Sequence, residues 1–268
     1  MIQIKTPEEI EIMAEGGKIL AKIMKELEKK VKPGITTKEL DRAAEALISC
    51  PPKHFLPTEA LAKAGAKEGK IKPSFKGYEG YPAALCTSIN EEIVHAIPSD
   101  RRLKEGDMLS LDLGIQWKDF HTDMTITVPV GKIDPEVQRL IRVTKKALKR
   151  GIKKVRPGNT FGDIGNTIQR YVESQGFNVV RDLCGHGIGK ELHEEPQILN
   201  YGKRKTGPEI TEGMVFCLEP MVTVGDWKIK KSKDGYGLET QDGSLSCHFE
   251  HTMALTKNGA KILTALPR

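Results

Sequence analysis

An internal repeat is the sequence feature that most constrains how this chain can fold. The segment Val31-Lys-Pro-Gly-Ile-Thr-Thr-Lys-Glu-Leu40 matches Val155-Arg-Pro-Gly-Asn-Thr-Phe-Gly-Asp-Ile164, and each segment follows one amphipathic helix pattern and begins another. A length of 268 residues suits one large domain. We therefore predict a single domain, 1–268, with pseudo-symmetric halves of about 1–131 and 132–268.

Four acidic residues occupy corresponding places in the two halves, inside apolar, strand-like sequence. They are Asp112 and Asp123 in the first half, and Glu219 and Glu250 in the second. A hairpin turning near Trp117–Phe120 is predicted to place Asp112 roughly opposite Asp123, with Cβ atoms about 5 Å apart. Two carboxylates this close cannot both ionise cheaply without a cation. The alternatives are a solvated sheet face for the aspartates and a salt bridge for Glu219.

Four helices are predicted from capping signals followed by apolar residues at helical spacing. They begin after Thr6, Thr36, Asp134 and Thr160 and end near Val31, Ser49, Lys154 and Gln175. The lysine-rich stretch of about 51–73 is predicted to be a loop insertion.

A glycine-flanked histidine is the sharpest local motif of the chain. Cys184-Gly-His-Gly-Ile-Gly189 places three glycines around His186, which permits a close approach of the backbone to other groups. Four carboxylates and one imidazole favour two divalent ions such as Mn, Fe(II), Co or Zn. Such a pair forms a clamp for hydrolysis. Taken alone, His186 could equally be a capped loop histidine, and His95 could be a core histidine.

Composition excludes several other classes of protein. The five cysteines are scattered and never form Cys-x-x-Cys, which argues against a disulfide framework and a zinc ribbon. No apolar run is long enough for a transmembrane helix, and the first residues do not have the pattern of a signal peptide. The net charge of +6 is spread along the chain. A cytoplasmic enzyme that does not bind DNA specifically or associate with membranes is expected.

Seven motifs together resemble the type I methionine aminopeptidases, in the order of that family and from about Ile4 to Leu263. They are Ser88-Ile-Asn-Glu-Glu-Ile-Val-His-Ala-Ile-Pro98, Leu111-Asp-Leu113, His121-Thr-Asp-Met-Thr125, Cys184-Gly-His-Gly-Ile-Gly189, His193-Glu-Glu-Pro-Gln197, Glu219-Pro-Met221 and Glu250-His-Thr252. The resemblance implies the α+β pita-bread fold, an antiparallel sheet with flanking helices and internal pseudo-two-fold symmetry.

The resemblance also implies a role for each matching residue. The residues that would bind two divalent ions (Co, Mn, Fe(II), Zn or Ni) are Asp112, Asp123, His186, Glu219 and Glu250. His95 and His193 would bind the scissile peptide and stabilise the tetrahedral intermediate, while Glu219 would shuttle a proton after attack by a metal-bridging hydroxide. The pocket for the methionine side chain would be lined by Tyr78, Tyr81, Cys86 and Tyr236.

The implied substrate is the N-terminal initiator methionine of nascent proteins, followed by a small uncharged residue, and the implied enzyme is a monomer with a possible transient ribosome contact. Only 26 positions separate His193 from Glu219, which leaves no room for the insertion of type II enzymes. Glu79 stands where the family usually has histidine. The alternatives are an X-Pro peptidase of the same fold and a non-catalytic pita-bread binding protein.

Overall fold

The structure, a computed structural model, describes residues 1–57 and 70–265. The described helices are α1 (Pro7–Lys30), α2 (Thr37–Ser49), α3 (Pro135–Ile152) and α4 (Phe161–Ser174). Among the described residues, no helix combines the length and apolarity needed to cross a membrane. Most of the predicted 51–73 insertion, residues 58–69, lies outside the described residues.

Fifteen described strands connect and follow these helices, and all of their pairings are antiparallel. The strands are β1 (Lys72–Pro73), β2 (Leu85–Ile89), β3 (Glu92–Val94), β4 (Met108–Trp117), β5 (Phe120–Pro129), β6 (Asn178–Val179), β7 (Cys184–Gly187), β8 (Glu194–Leu199), β9 (Val215–Leu218), β10 (Met221–Thr223), β11 (Ile229–Lys231), β12 (Leu238–Thr240), β13 (Ser246–His248), β14 (His251–Thr256) and β15 (Gly259–Ile262). Antiparallel sheets with separate helices make this an α+β protein.

Helix starts follow the capping residues in the sequence. Thr6 and Thr36 each accept a hydrogen bond from a backbone N–H three residues on, and the glutamate there reaches back to the backbone N–H of the threonine. Each box therefore satisfies two N–H groups that a helix start leaves without a partner. Asp163 completes a third box with Thr160. All four predicted helices are confirmed, with ends that differ by no more than about two residues.

The two largest of the four sheets and the two largest of the four apolar clusters in the described residues follow the two halves of the chain. In the first half β4 pairs with β1, β2 and β5, and in the second half the order is β15-β14-β9-β7-β8. One core packs α1 and α2 against the apolar face of β4, which carries Leu109, Leu111 and Leu113. The other core packs α3 and α4 against residues such as Phe216 and Met253. The opposite, polar faces are left free to meet each other.

The register of the β4–β5 hairpin corrects one prediction. Asp112 pairs with Thr125 and Asp123 pairs with Gly114, so the two aspartates are diagonal neighbours and do not lie opposite each other. The reason is the two-residue turn at Lys118 and Asp119, both with positive φ, which sets Trp117 against Phe120 and fixes every later pair. Both aspartates still lie on one face because side chains alternate along a strand.

Candidate metal centre

The side chains predicted to form the site line one open cavity of about 850 Å³. They are Tyr78, Tyr81, Cys86, His95, Asp112, Asp123, His186, His193, Glu219, Tyr236 and Glu250. The structure therefore brings together residues that are up to 172 positions apart, counting from Tyr78 to Glu250. A cavity of this size is within the range of small-ligand sites.

The carboxylates enter the cavity floor from both halves of the chain. Asp112 and Asp123 lie on β4 and β5, Glu219 directly follows β9, and Glu250 directly precedes β14. All four are at least nine-tenths buried. Pro220 follows Glu219 and predicts a strand edge or bulge at this point. The structure divides the apolar run there into β9 and β10, which belong to different sheets. The break frees Glu219 from strand pairing and turns its side chain into the cavity.

Two threonines connect the halves behind the carboxylates. Thr125 Oγ1 donates to Glu250 Oε2 over 2.9 Å, and the backbone N–H of Asp123 donates to Thr252 Oγ1 over 2.9 Å. Thr252 Oγ1 in turn donates to the carbonyl oxygen of Asp123 over 2.8 Å. The two Asp/Glu-x-Thr motifs noticed in the sequence therefore form reciprocal contacts across the cavity floor. Their function is to hold the β5 and β14 carboxylates against each other.

Without a cation this arrangement is electrostatically unfavourable. Burial, followed by the carboxylates around them, holds the pKa of Asp123 and of Glu250 well above the usual range, and burial with Asp112 does the same for Glu219. Asp112 Oδ1 and Glu250 Oε1 are buried and have no hydrogen-bond partner. Buried carboxylate oxygens without a partner are costly, and a bound cation would satisfy them.

The donor atoms fit divalent metal ions. Asp112, Asp123 and Glu250 place ligand atoms within 4.8 Å of one another, and a second group at the same spacing contains His186, Cys217 and Glu250. Glu250 belongs to both groups, as expected of a bridging ligand. Carboxylates with one imidazole suit first-row divalent ions, which accept mixed oxygen and nitrogen ligands.

His186 is held with a free ring nitrogen facing Glu219. Its Nδ1–H donates to the carbonyl oxygen of Gly187 over 2.8 Å, which leaves the lone pair on Nε2. Nε2 lies 3.6 Å from Glu219 Oε1. Burial, together with the neighbouring His193, lowers the pKa of His186 to about 3. The imidazole is therefore neutral near pH 7, which is the form that binds metal.

The glycines of the motif around His186 are required by close backbone approaches. A Cβ added at Gly185 would lie 2.4 Å from the carbonyl oxygen of Cys217, and a Cβ added at Gly187 would lie 2.2 Å from the carbonyl oxygen of Glu195. Only glycine therefore lets β7 lie between β8 and β9 at this point. The sequence motif is explained by this packing, which aims His186 into the cavity.

Two further histidines, His193 and His95, line the cavity. His193 packs edge-on against His186 with ring centroids 4.4 Å apart, and its Nδ1 lies 2.9 Å from the hydroxyl of Tyr78. The Tyr78 hydroxyl and Nδ1 of His193 share one hydrogen bond, and the tautomer of His193 decides which of them donates. His95 has a positive φ of 59° and lines the same cavity. Withdrawal from bulk water lowers the pKa of both His95 and His193, so both are neutral donors near pH 7.

The predicted side-chain pocket is aromatic and uncharged. Tyr81 is buried and donates to the carbonyl oxygens of Leu85 and Ala96, and its ring packs edge-on against Tyr236 at 5.6 Å. Burial raises the pKa of Tyr81 and of Cys86, so neither ionises near pH 7. This wall suits an apolar substrate side chain.

Two site residues were not predicted from the sequence. His248 is buried with both ring nitrogens unpartnered, and its Nε2 lies 3.6 Å from Glu219 Oε2. Cys217 lies beneath His186 and Glu250. The alternation of Val215, Cys217 and Glu219 along one strand was the available signal for the cysteine.

Known proteins are similar to this chain in sequence and in fold. The model of metallopeptidase family M24 matches residues 11–257. A methionine aminopeptidase of Clostridium perfringens is 44% identical over 266 residues, covering 99% of this chain and 100% of that protein. The crystal structure of a methionine aminopeptidase from Thermotoga maritima has a TM-score of 0.89 at 43% identity, covering 98% of this chain and 99% of that one. A prolidase from Pyrococcus furiosus has a TM-score of 0.70 at 25% identity and is covered over 66% of its length.

Proposed function

Because this chain belongs to the methionine aminopeptidases of metallopeptidase family M24, and so has their pita-bread fold, we propose that it removes the initiator methionine from nascent polypeptides. We propose a preference for a small uncharged second residue. The observation that carries the proposal is the buried carboxylate–imidazole cluster at the floor of a cavity with one aromatic, uncharged wall.

We propose that two divalent ions occupy the centre. Asp112, Asp123 and Glu250 would hold one, and His186 with Glu219 and Glu250 would hold the other. When bound, such ions activate water and polarise the scissile carbonyl. The unpartnered Asp112 Oδ1 and Glu250 Oε1 support this assignment because both oxygens lack any other way to be satisfied.

The two outer histidines are proposed to bind the scissile peptide. We propose that Tyr78 donates to Nδ1 of His193, so that His193 presents Nε2–H as a donor. An N–H donor held in this way can stabilise the negative charge that grows on a carbonyl oxygen, without reorganisation. His95 is proposed to bind the peptide from the other side. Substitution of either residue by alanine is expected to lower kcat about 100-fold or more.

Glu219 is the residue best placed to move a proton. One carboxylate oxygen faces His186 and the other faces His248, both at 3.6 Å. The side chain also lines the open cavity, so it can exchange protons with the substrate. We propose that Glu219 takes the proton of the attacking water and delivers it to the leaving amine.

Peptide cleavage by metal-replete protein tests the proposed activity. Release of methionine from Met-Gly-type peptides is expected, with much slower release from Met-Leu-type peptides, because Tyr78 and His193 wall the cavity in edge-on contact. Glu219→Ala is the control and is expected to lose activity while keeping its fold. If wild type and Glu219→Ala release methionine at the same background rate, the proposed activity is wrong.

The X-Pro alternative is separated by the same assay. Prolidases share the fold, but this chain covers only 66% of the Pyrococcus furiosus enzyme. Peptides that begin with a residue other than methionine followed by proline are expected to remain uncleaved. Their cleavage at a rate above that of Met-Gly peptides would favour an X-Pro peptidase.

We also propose a transient, electrostatic contact with the ribosome. The outer face of α3 carries exposed basic side chains: Arg142, Lys145, Lys146, Lys149 and Arg150. Polyanions attract such a face in a strongly salt-dependent manner. Co-sedimentation with ribosomes is expected at low salt and is expected to be lost at high salt. Reversal of two of these charges to glutamate should weaken it, and an unchanged sedimentation profile would exclude α3 as the contact.

A further inference from the structure

We propose that the Cys217 sulfur is a further protein ligand of the metal centre, on the ion held by His186. This inference rests on the metal centre proposed above and extends its ligand set from five residues to six. It assigns a metal-selecting function to a cysteine that neither the family motifs nor the sequence patterns identified.

The first observation is the location of the thiol. Cys217 is completely buried. Its Sγ lies within 4.8 Å of a ligand atom of both His186 and Glu250, and those two atoms lie within the same distance of each other. Donors that share one ion are separated by at most twice the metal–ligand distance, which is about 4.0–4.6 Å for zinc sites. Shifts of a few tenths of an ångström would therefore bring these three donors onto one ion.

The second observation is the strand register, which is independent of those distances. Asp112 pairs with Thr125 across the β4–β5 ladder, and Cys217 pairs with Thr252 across the β9–β14 ladder. Because Thr125 and Thr252 make the reciprocal contacts across the cavity floor, Cys217 stands in the second half where Asp112 stands in the first. Sequence spacing had instead matched Asp112 with Glu219. The thiol therefore occupies the register position of a carboxylate ligand.

The third observation is an unsatisfied group that points to a ligand. Glu250 Oε1 is buried and has no hydrogen-bond partner, and Glu250 belongs to the same three-residue group as Cys217. The thiol itself has a weak contact of 3.6 Å with Thr252 Oγ1.

A sulfur ligand changes which metal the site prefers. As the metal–sulfur bond forms, the S–H bond breaks and the thiol proton passes to water, so one charge on the ion is neutralised. Thiolate favours Zn(II), Co(II) and Fe(II) over the harder Mn(II). We therefore expect Cys217→Ser to lower affinity for Zn(II) and Co(II) on the order of tenfold or more, and to leave Mn(II) affinity within about threefold.

Co(II) itself is the spectroscopic probe for this ligand. Metal-free full-length protein is titrated with Co(II), and the near-ultraviolet sulfur-to-cobalt charge-transfer band is recorded together with bound cobalt and activity. We expect the band in wild type and its loss in Cys217→Ser. Cys86→Ser is the matched control, because Cys86 is likewise a buried thiol and pairs with Asp112 across the neighbouring ladder. The band should persist in that variant.

The outcomes separate this inference from the proposed function. Bound cobalt and full activity with no sulfur band would overturn the Cys217 assignment and leave the aminopeptidase proposal standing. A band that disappears in Cys86→Ser and persists in Cys217→Ser would also overturn it. Absence of bound cobalt would overturn both proposals. If Cys217→Ser does not fold, X-ray absorption of the cobalt-loaded wild type decides, since sulfur scattering supports the assignment and its absence overturns it.

Discussion

Single hydrogen bonds fix which nitrogen of each histidine is available. Gly187 accepts from Nδ1 of His186 and leaves Nε2 as a lone pair. In the tautomer proposed for His193, Tyr78 donates to Nδ1 and leaves Nε2 as a donor. Two neighbouring imidazoles, both neutral near pH 7, thus have opposite chemical roles. The sequence could identify both histidines, but it could not assign their tautomers, because the partners come from the backbone and from a distant loop.

Removal of the Tyr78 hydroxyl tests this tautomer assignment. We expect Tyr78→Phe to lower kcat/KM about three- to tenfold, because one hydrogen bond of ordinary strength no longer orients His193. His193→Ala should cost more. The double variant should be no slower than His193→Ala, since Tyr78 acts through that ring. Additive losses in the double variant would show that Tyr78 acts on the substrate directly.

Glu79 brings a negative charge to the cavity lining, where the family usually has histidine. We expect it to disfavour peptides with an acidic third residue. In Glu79→Gln the ratio of kcat/KM for Met-Gly-Lys over Met-Gly-Asp peptides should fall about two- to fivefold, as expected for an exposed charge pair. Added salt should also lower the ratio of the wild-type enzyme, because it screens the charge of Glu79. The control variant Glu28→Gln, on the exposed face of α1, should leave the ratio at its wild-type value. If Glu79→Gln also leaves the ratio at that value, the charge effect is excluded.

At the scale of elements, helices were predictable and strand ends were not. Capping boxes and proline at the first helical position are local signals, so the bounds of α1 to α4 could be predicted within about two residues. The β4–β5 register depended on two residues with positive φ at the turn, Lys118 and Asp119, which are neither glycine nor asparagine. Pro220 indicated a strand edge or bulge after Glu219, but the apolar run could not reveal that β9 and β10 belong to different sheets.

The glycine-rich strand β7 gives a prediction at this scale. Gly187→Ala is expected to destabilise the fold by about 1–3 kcal/mol, because the added methyl would meet the carbonyl oxygen of Glu195 at 2.2 Å. The displacement of β7 should also reduce the amount of metal that the protein binds, since His186 is adjacent to Gly187. Urea unfolding and the cobalt stoichiometry measure the two effects. Lys190→Ala, an exposed position after the same motif, should match wild type in both, and equal behaviour of Gly187→Ala would contradict the packing argument.

At the scale of the whole molecule, the site lies where the two halves meet. The sequence repeat predicted one domain with halves of about 1–131 and 132–268, and a common origin of the halves remains a prediction. The four carboxylates of the site could be identified because acidic residues in apolar strands are costly unless they are paired or bound to metal. Cys217 and His248 could not, because a buried cysteine or histidine is unremarkable until its neighbours in space are known.

The carboxylate cluster predicts how the stability of the metal-free protein depends on pH. Burial raises the pKa of Asp123, Glu219 and Glu250 in the folded state, so folding is favoured while they are protonated, and that stability is lost as pH rises through their folded pKa. His186 and His248 oppose this trend only below their unfolded pKa of about 6.5, because burial lowers the pKa of His186 to about 3 and of His248 to about 4.

In the window that begins at about pH 6.5 and ends where the carboxylates of the folded protein are fully ionised, the carboxylates therefore dominate. We expect the Tm of chelator-treated protein to fall over this window, and the Tm of Co(II)-loaded protein to stay level, since bound cations stabilise the ionised form. Glu250→Gln should raise the metal-free Tm at pH 8 by roughly 2–4 °C for each kcal/mol of repulsion relieved, while abolishing activity. Thr125 can still donate to the amide oxygen, so the variant should fold. A metal-free Tm that rises with pH in this window would show that the cluster is not strained without metal.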